Sequence, residues 1–108
     1  MTARFQQVLQ SEDFTDATLV SSDNVNITAH KVILSTGSGF FNCVLSENIH
    51  PNPLIYLRCV GQEVLHALVG FLYLGHVKVK QELLQAFMET ALEMEIHGLT
   101  NNEIAFSD

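Results

Sequence analysis

Five histidines are the residues of this chain best suited to metal binding or acid–base catalysis, but their spacing favours neither. They are His30, His50, His66, His76 and His97. No two of them stand three or four positions apart on one predicted helix, and the zinc-binding pattern HExxH is absent. A metal site built from distant positions stays the less favoured alternative. We therefore expect no metal and no cofactor.

The segment Ser35-Thr36-Gly37-Ser38-Gly39 is rich in glycine and in hydroxyl side chains. It lacks the Gly-Lys-Ser/Thr ending of a phosphate-binding loop and does not follow a predicted strand. Nucleophilic catalysis needs a Ser or Cys beside an oriented base, and no such arrangement stands out. We expect a binding module and not an enzyme, with no catalytic residues.

Cys43 and Cys59 lie 16 positions apart without a CxxC pattern. We interpret them as two reduced and buried side chains, with a disulfide or a metal site as the less favoured alternatives. The N-terminus lacks the apolar core of a signal peptide, and no apolar run reaches the roughly 18 residues of a membrane helix. We therefore expect a soluble, intracellular protein with no membrane contact.

Composition and charge indicate what the chain contacts. Its 108 residues fit one domain, of which 47% are hydrophobic, and the mean hydropathy is +0.21. So small a domain cannot hide this much apolar surface alone, which indicates burial against another chain. The net charge of −7, from 5 basic and 12 acidic residues, disfavours direct binding to nucleic acid.

The stretch from residue 13 to residue 41 organises the chain. Two strands, Ala17 to Ser21 and Val25 to Ala29, flank a turn at 22–24 whose Asp and Asn favour tight turns. The chain then enters an apolar segment that we interpret as a buried helix ending near Gly37. Asp16 precedes the first strand and Lys31 follows the second, so the hairpin brings their charges together.

The remaining elements are predicted from apolar periodicity. They are a short helix at 2–11, a helix capped by Ser38, a strand at 54–58, a central helix at 62–74, a short strand at 77–80, a helix at 81–94 and a polar tail at 101–108 that is loose at its end. The strand at 54–58 is predicted to be covered on both faces. The helix at 81–94 is predicted to point five apolar side chains inward: Leu84, Phe87, Met88, Ala91 and Leu92. Strands and helices do not alternate as βαβ units, so we predict an α+β fold. The helix at 2–11 docks on its own domain or on a partner chain.

Several local motifs occur together in a recognisable order. These are DFTDATL, AHKVILS, PLIYLR, FLYLGHV and a closing helix before Gly98-Leu99. With them the chain resembles a BTB/POZ domain over about residues 4–100, and the tramtrack-type branch found in transcription factors is the most similar. The resemblance implies about five to six helices flanked by a short three-stranded sheet. We place the domain at 1–100 and a polar tail at 101–108.

The resemblance implies homodimerisation in a nuclear transcription regulator, with larger homo-oligomers left open. It places one set of apolar and hydroxyl side chains at the dimer interface: Phe5, Val8, Leu9 and Phe14, with Val32, Ser35 and Thr36 opposite. The implied partners are a second copy, related BTB domains and corepressors. Docking of the helix at 2–11 on the partner chain is then the favoured alternative.

Asp16 and Lys31 match a charged pair that the resemblance places near the dimer groove. One interpretation is a structural pair that holds the hairpin to the helix. The other is a charged pocket that recognises corepressor peptides. Both stay open at this point.

Departures from the family pattern bear on these expectations. Gly39 stands where Pro is usual, which should loosen the start of the following helix. The extra strand that tramtrack-type members carry before the first helix is missing, which weakens the case for strand-mediated assembly. The alternative function is a substrate adaptor of cullin-type ubiquitin ligases. Its hydrophobic-x-Glu pattern is replaced by Ile49-His50-Pro51, so this alternative is less favoured.

Overall fold

The hairpin and one later strand form a three-stranded sheet. The structure is a computed structural model that describes residues 14–47 and 50–107. Strand β1 (Ala17–Val20) pairs antiparallel with β2 (Asn26–Ala29) and parallel with β3 (Leu54–Tyr56), so β1 is central. The period-2 alternation of the hairpin places one face of the sheet against the core.

Four α-helices share a hydrophobic core with this sheet within the described residues. They are α1 (Lys31–Gly37), α2 (Gly39–Glu47), α3 (Gln62–Leu74) and α4 (Leu84–Glu93), with one-turn 3-10 helices at Gln81–Leu83 and Asn101–Glu103. The architecture confirms the predicted α+β class. The count of α-helices is lower than the five to six expected, and the helix predicted at 2–11 lies outside the described residues.

Helix α3 is the centre of the core, as its wide apolar arc predicts. Six of its side chains are buried: Val64, Leu65, Leu68, Val69, Phe71 and Tyr73. Gly75 ends the helix with φ +81° and donates its N–H to the carbonyl oxygen of Phe71. No helix in the described part of the chain combines the length and the apolar content that crossing a membrane requires.

Three predictions of burial are wrong. Helix α1 buries only Leu34, and 68% of Val32 is exposed. Strand β3 is covered on one side only, since Leu54 and Tyr56 are exposed on the other. On α4 the side chain of Leu92 is 81% exposed, and Met88 is also exposed. The apolar character of a residue does not by itself show whether its side chain is covered within its own domain.

The two cysteines are also placed differently from the prediction. Cys43 on α2 and Cys59 in the turn after β3 are both free thiols and both exposed. The Sγ of Cys43 donates a hydrogen bond to the Oε1 of Glu47 at 3.2 Å. This hydrogen bond raises the pKa of the Cys43 thiol because it favours the protonated sulfur, and the negative charge of Glu47 raises that pKa further.

Part of the predicted polar tail at 101–108 forms a strand. Strand β5 (Ile104–Ser107) pairs parallel with β4 (Val77–Lys80) in a separate two-stranded sheet. Strand β4 buries Val77 and Val79 and exposes Lys78 and Lys80, as their alternation predicts. Because the edge of β4 presents a row of backbone N–H and C=O groups, even a four-residue strand can pair with it.

Ser38 fixes the junction between α1 and α2. Its buried hydroxyl accepts the N–H of Phe41 at 3.2 Å, which confirms the predicted cap, and donates to the carbonyl oxygen of Met94 at 2.6 Å. Gly39 donates its N–H to the carbonyl of Glu95 at 3.0 Å. Proline has no N–H, so glycine at this position gains a bond where the sequence predicted only a looser helix start.

Replacing Ser38 with Ala should destabilise the fold by about 1–3 kcal/mol, because the N–H of Phe41 loses its hydroxyl acceptor and the carbonyl of Met94 keeps only the N–H of Phe40 as a donor. Urea unfolding followed by circular dichroism measures the change. Ser46→Ala, on the exposed face of α2, is the matched control and should be near neutral. Equal stability of the two variants would contradict the stabilising role of the Ser38 hydroxyl at this junction.

The hairpin turn also caps the central helix. The Oδ1 of Asp23 accepts the N–H of Gln62, the first residue of α3, at 3.1 Å. The pKa of the Asp23 carboxyl is lowered, first by the hydrogen bond that the Ser21 hydroxyl donates and then by backbone amides, with a partial opposing effect of desolvation. Asp23 therefore links the turn between β1 and β2 to the start of α3.

This lowered pKa predicts a pH dependence. A carboxyl whose folded pKa lies below its unfolded value of about 3.9 stabilises the protein above that pH and loses the contribution as pH falls through the folded pKa. The thermal midpoint of the wild type should therefore approach that of Asp23→Asn as pH falls from 6 to 2.5. A constant difference over this range would contradict the capping role.

Candidate functional site

Asp16 joins the hairpin to helix α1. Its Oδ1 accepts the backbone N–H of Lys31 at 2.7 Å, and its own N–H donates to the carbonyl of Ala29 at 3.1 Å. The first N–H groups of a helix lack partners inside the helix, and a carboxylate beside them also complements the helix dipole. The residue at the start of α1, His30, provides no side-chain cap of its own. Asp16 supplies that cap from the segment just before β1.

Lys31 contacts Asp16 through its backbone N–H and not through its ammonium group. Its Nζ donates to the carbonyl oxygen of His50 at 2.9 Å. In the part of the chain that the structure describes, the carboxylate–ammonium contact is between Glu63 and Lys80, at 3.7 Å. The predicted proximity of Asp16 and Lys31 is therefore present, but it takes the form of a helix cap.

His30 ties the same corner to the central helix. The hydroxyl of Tyr73 accepts the N–H of His30 at 2.8 Å and lies 2.6 Å from its Nδ1, and the two rings meet edge to face. In the His30 tautomer protonated at Nε2, the tyrosine proton is donated to Nδ1. Burial raises the pKa of Tyr73, the charge of Asp16 raises it further, and the His30 N–H offsets part of the shift.

No local sequence pattern indicates the contact between His30 and Tyr73. Tyr73 sits within an apolar helical run, and its partner is 43 positions away along the chain. A buried tyrosine needs a partner for its hydroxyl, and that requirement is the one signal available from residue type alone. It does not identify which residue supplies the partner.

Two apolar side chains project into solvent beside the Asp16–Lys31 contact. Phe14, two positions before Asp16, is 94% exposed, and Val32, the neighbour of Lys31, is 68% exposed. The hydrogen bond at 2.7 Å holds their two backbone segments together. We call Phe14 and Val32 the apolar corner.

The backbone at Phe14 is strained. Its φ of +63° lies in the left-handed region, which a bulky residue other than glycine occupies at a cost of roughly 1–2 kcal/mol. Such outliers are concentrated at binding and switching sites. A strained residue that exposes an aromatic ring to water is therefore a candidate for contact with a partner.

The other predicted interface residues on α1 satisfy their polar groups locally. The hydroxyl of Thr36 donates to the carbonyl of Val32 at 2.6 Å, and that of Ser35 contacts the same oxygen at 3.4 Å. Neither hydroxyl therefore needs a partner across an interface. The three predicted residues Phe5, Val8 and Leu9 lie outside the described residues.

Additional exposed apolar side chains were missed by the sequence analysis. Leu54 and Tyr56 share the outer face of β3, and Phe106 is exposed on β5. Residues 14–47 and 50–107 contain no group of three or more His, Cys, Asp or Glu placed to hold a metal ion. The described surface is thus distinguished by its exposed apolar residues.

Comparison with known proteins identifies a family. The family model described as BTB/POZ domain matches residues 5–107. Among Drosophila melanogaster proteins, "Sex determination protein fruitless" is 36% identical over 102 residues, "Longitudinals lacking protein-like" 37% over 99 and "Protein tramtrack, alpha isoform" 38% over 96. These alignments cover 94%, 92% and 89% of this chain, but 11%, 77% and 12% of the three relatives.

The cap geometry predicts unequal effects at Asp16 and Lys31. Asp16→Ala removes the acceptor and should cost about 1 kcal/mol, as loss of a helix cap does. Lys31→Met keeps the backbone N–H and should cost less than half as much. Denaturant unfolding of both variants measures this difference. Equal costs would show that the lysine charge, and not its backbone, makes the contact.

Proposed function

This chain belongs to the BTB/POZ domain family, and we propose that it homodimerises as the self-association module of a transcription regulator. BTB/POZ domains are protein-interaction modules. The single observation that supports a self-association surface is the apolar corner. Phe14 and Val32 expose large apolar side chains next to the hydrogen bond that fixes their relative position.

The energetics favour burial of this corner. Covering a Phe or Val side chain contributes about 1.5–3 kcal/mol each. In a two-fold dimer every contact occurs twice, so a small self-complementary patch contributes buried apolar surface from both protomers. The strain at Phe14 is then offset by burial of its ring against the second copy.

The wider interface rests on the resemblance. We propose that Phe5, Val8 and Leu9 pack on the partner chain, and that Ser35 and Thr36 lie opposite them. The hydroxyls of Ser35 and Thr36 already bond within α1. Packing against them therefore leaves no hydroxyl without a partner, which supports their place in an apolar interface.

Transcription regulation, nuclear location and corepressor binding are further parts of the proposal. They are supported by the similarity to Protein tramtrack, alpha isoform and by the tramtrack-type motifs of this chain. The net charge of −7 argues that DNA contact is not made by this domain. Asp16 caps a helix with one carboxylate oxygen. A corepressor-binding role for Asp16 and Lys31 would have to preserve that cap.

Substitutions in the apolar corner should dissociate the dimer. Light scattering should give about twice the chain mass of 12.0 kDa for the wild type and the mass of one chain for Phe14→Asp and Val32→Asp. A charge buried in place of an apolar group should weaken dimerisation by about 100-fold or more. Asp tolerates the left-handed backbone better than Phe, so Phe14→Asp should not impair folding.

Leu92→Asp is the matched control, because Leu92 is also highly exposed but lies on α4. It should leave the dimer intact. A wild type that stays monomeric at all concentrations would contradict the proposal. So would a Phe14→Asp,Val32→Asp double variant that stays dimeric.

A further inference from the structure

A groove of about 610 Å³ opens between α3, β4 and the start of α4. Its floor is apolar: Ala67, Leu74 and Leu83 are half-buried there, and Val64, Val79 and Phe87, which also line it, are buried. The volume lies within the range of about 300–1,000 Å³ that is usual for ligand sites. Of the proposed interface residues that the structure describes, Phe14, Val32, Ser35 and Thr36, none lines it.

Basic side chains surround this groove in an otherwise acidic chain. Lys78 and Lys80 line it, as do His66 and His76, whereas Glu63 is the one acidic residue among the described residues of the lining. The whole chain has only five Lys and Arg against twelve Asp and Glu. Two of its five permanent positive charges therefore flank one apolar groove, which complements an apolar and acidic ligand.

The spacing of these charges favours an extended peptide. Along β4, Val77 and Val79 are buried while Lys78 and Lys80 are exposed, and all four residues line the groove. Alternate residues on a strand stand roughly 6.6 Å apart. Alternate carboxylates on an extended peptide have the same spacing, and the residues between them can be apolar.

The existing partner of Lys80 is easily replaced. Its Nζ lies 3.7 Å from Oε2 of Glu63, and both side chains are at least half exposed. Exposed ion pairs of this kind contribute little to stability. A carboxylate from a ligand can therefore take the place of Glu63 at little cost.

From the groove, its charges and their spacing, we propose that this surface binds an extended peptide segment of a partner protein. In that segment apolar residues alternate with Asp or Glu. The apolar side chains occupy the floor between α3 and β4. The carboxylates contact Lys78 and Lys80.

Gly70 provides a selective way to block the groove. It lines the groove from α3, and a Cβ built there meets no atom within 4 Å. A larger side chain can therefore enter the groove without a collision at its Cβ. Glycine inside a helix is also less stable than alanine by about 0.5–1 kcal/mol, so Gly70→Leu should fold at least as well as the wild type.

The test uses a fluorescein-labelled octapeptide of alternating Val and Glu, followed by fluorescence anisotropy. The wild type should bind it saturably, and a Val-Gln octapeptide should bind about tenfold or more weakly. Two exposed charge pairs together account for a loss of this size. The Lys78→Glu,Lys80→Glu variant and Gly70→Leu should each lose at least about tenfold in affinity.

Arg58→Glu is the matched charge control, since Arg58 is exposed in the turn after β3 and does not line the groove. It should bind within about twofold of the wild type. Equal loss in Arg58→Glu, unchanged binding in Gly70→Leu, or no saturable binding would overturn the proposal. Saturation by sodium decanoate without any peptide binding would also overturn it, because the groove would then take small amphiphiles.

Light scattering on the same samples separates this proposal from homodimerisation. Gly70→Leu should lose the peptide and keep the mass of the wild type. If Gly70→Leu lowers that mass, the groove belongs to the self-association surface and the peptide proposal fails. Peptide binding by a wild type that is monomeric supports the groove while contradicting the dimer.

Discussion

The hydrogen bond from the Lys31 N–H to the Asp16 carboxylate fixes the corner on which the proposed interface depends. Helix α1 has seven residues, too few to be stable alone. Asp16 and Tyr73 hold its start through the N–H groups of Lys31 and His30. At its other end, the Gly37 carbonyl accepts the N–H of His97 at 2.8 Å. The helix is held at both ends by hydrogen bonds to other elements.

These anchors explain how α1 can leave apolar surface exposed. Leu34 is its one buried side chain, and Ile33 packs partly against the core, so the hydrogen bonds at its two ends supplement a small packed surface. Because hydrogen bonds fix its position, Val32 is free to face a partner without loss of the helix. The hydrogen bond between the Lys31 N–H and Asp16 also positions the segment that carries Phe14. The geometry of the proposed interface would therefore be set before a partner binds, which reduces the ordering cost of association.

The sequence predicted those features that local pattern determines. The hairpin follows from alternation and turn residues, the boundaries of α3 from its apolar arc and Gly75, and the cap on α2 from Ser38. The motif order also predicted the family. Each of these features depends on residues close together in the chain, so spacing alone carries the information.

The sequence did not predict the features that depend on long-range placement. The exposure of Val32 and Leu92 depends on whether other elements of the fold cover them. The residue type is apolar whether the side chain is covered or exposed, so it does not distinguish the two. The pairing of β5 with β4 and the contact of His30 with Tyr73 join distant segments without a local signal. For Asp16 and Lys31 the prediction was a meeting of two charges, whereas the structure shows a backbone contact and the Lys31 ammonium bonds to the His50 carbonyl. A charge pattern, however, cannot show that a backbone N–H, and not the ammonium, makes the contact.

Hydrogen–deuterium exchange at protein concentrations above and below the dissociation constant tests the central claim most directly. If the apolar corner forms the self-association surface, peptides covering Phe14 to Ala17 and Lys31 to Thr36 should exchange faster on dilution. Peptides covering β4 should not change. Unchanged exchange at the corner, in a sample whose mass falls from dimer to monomer, would contradict the account.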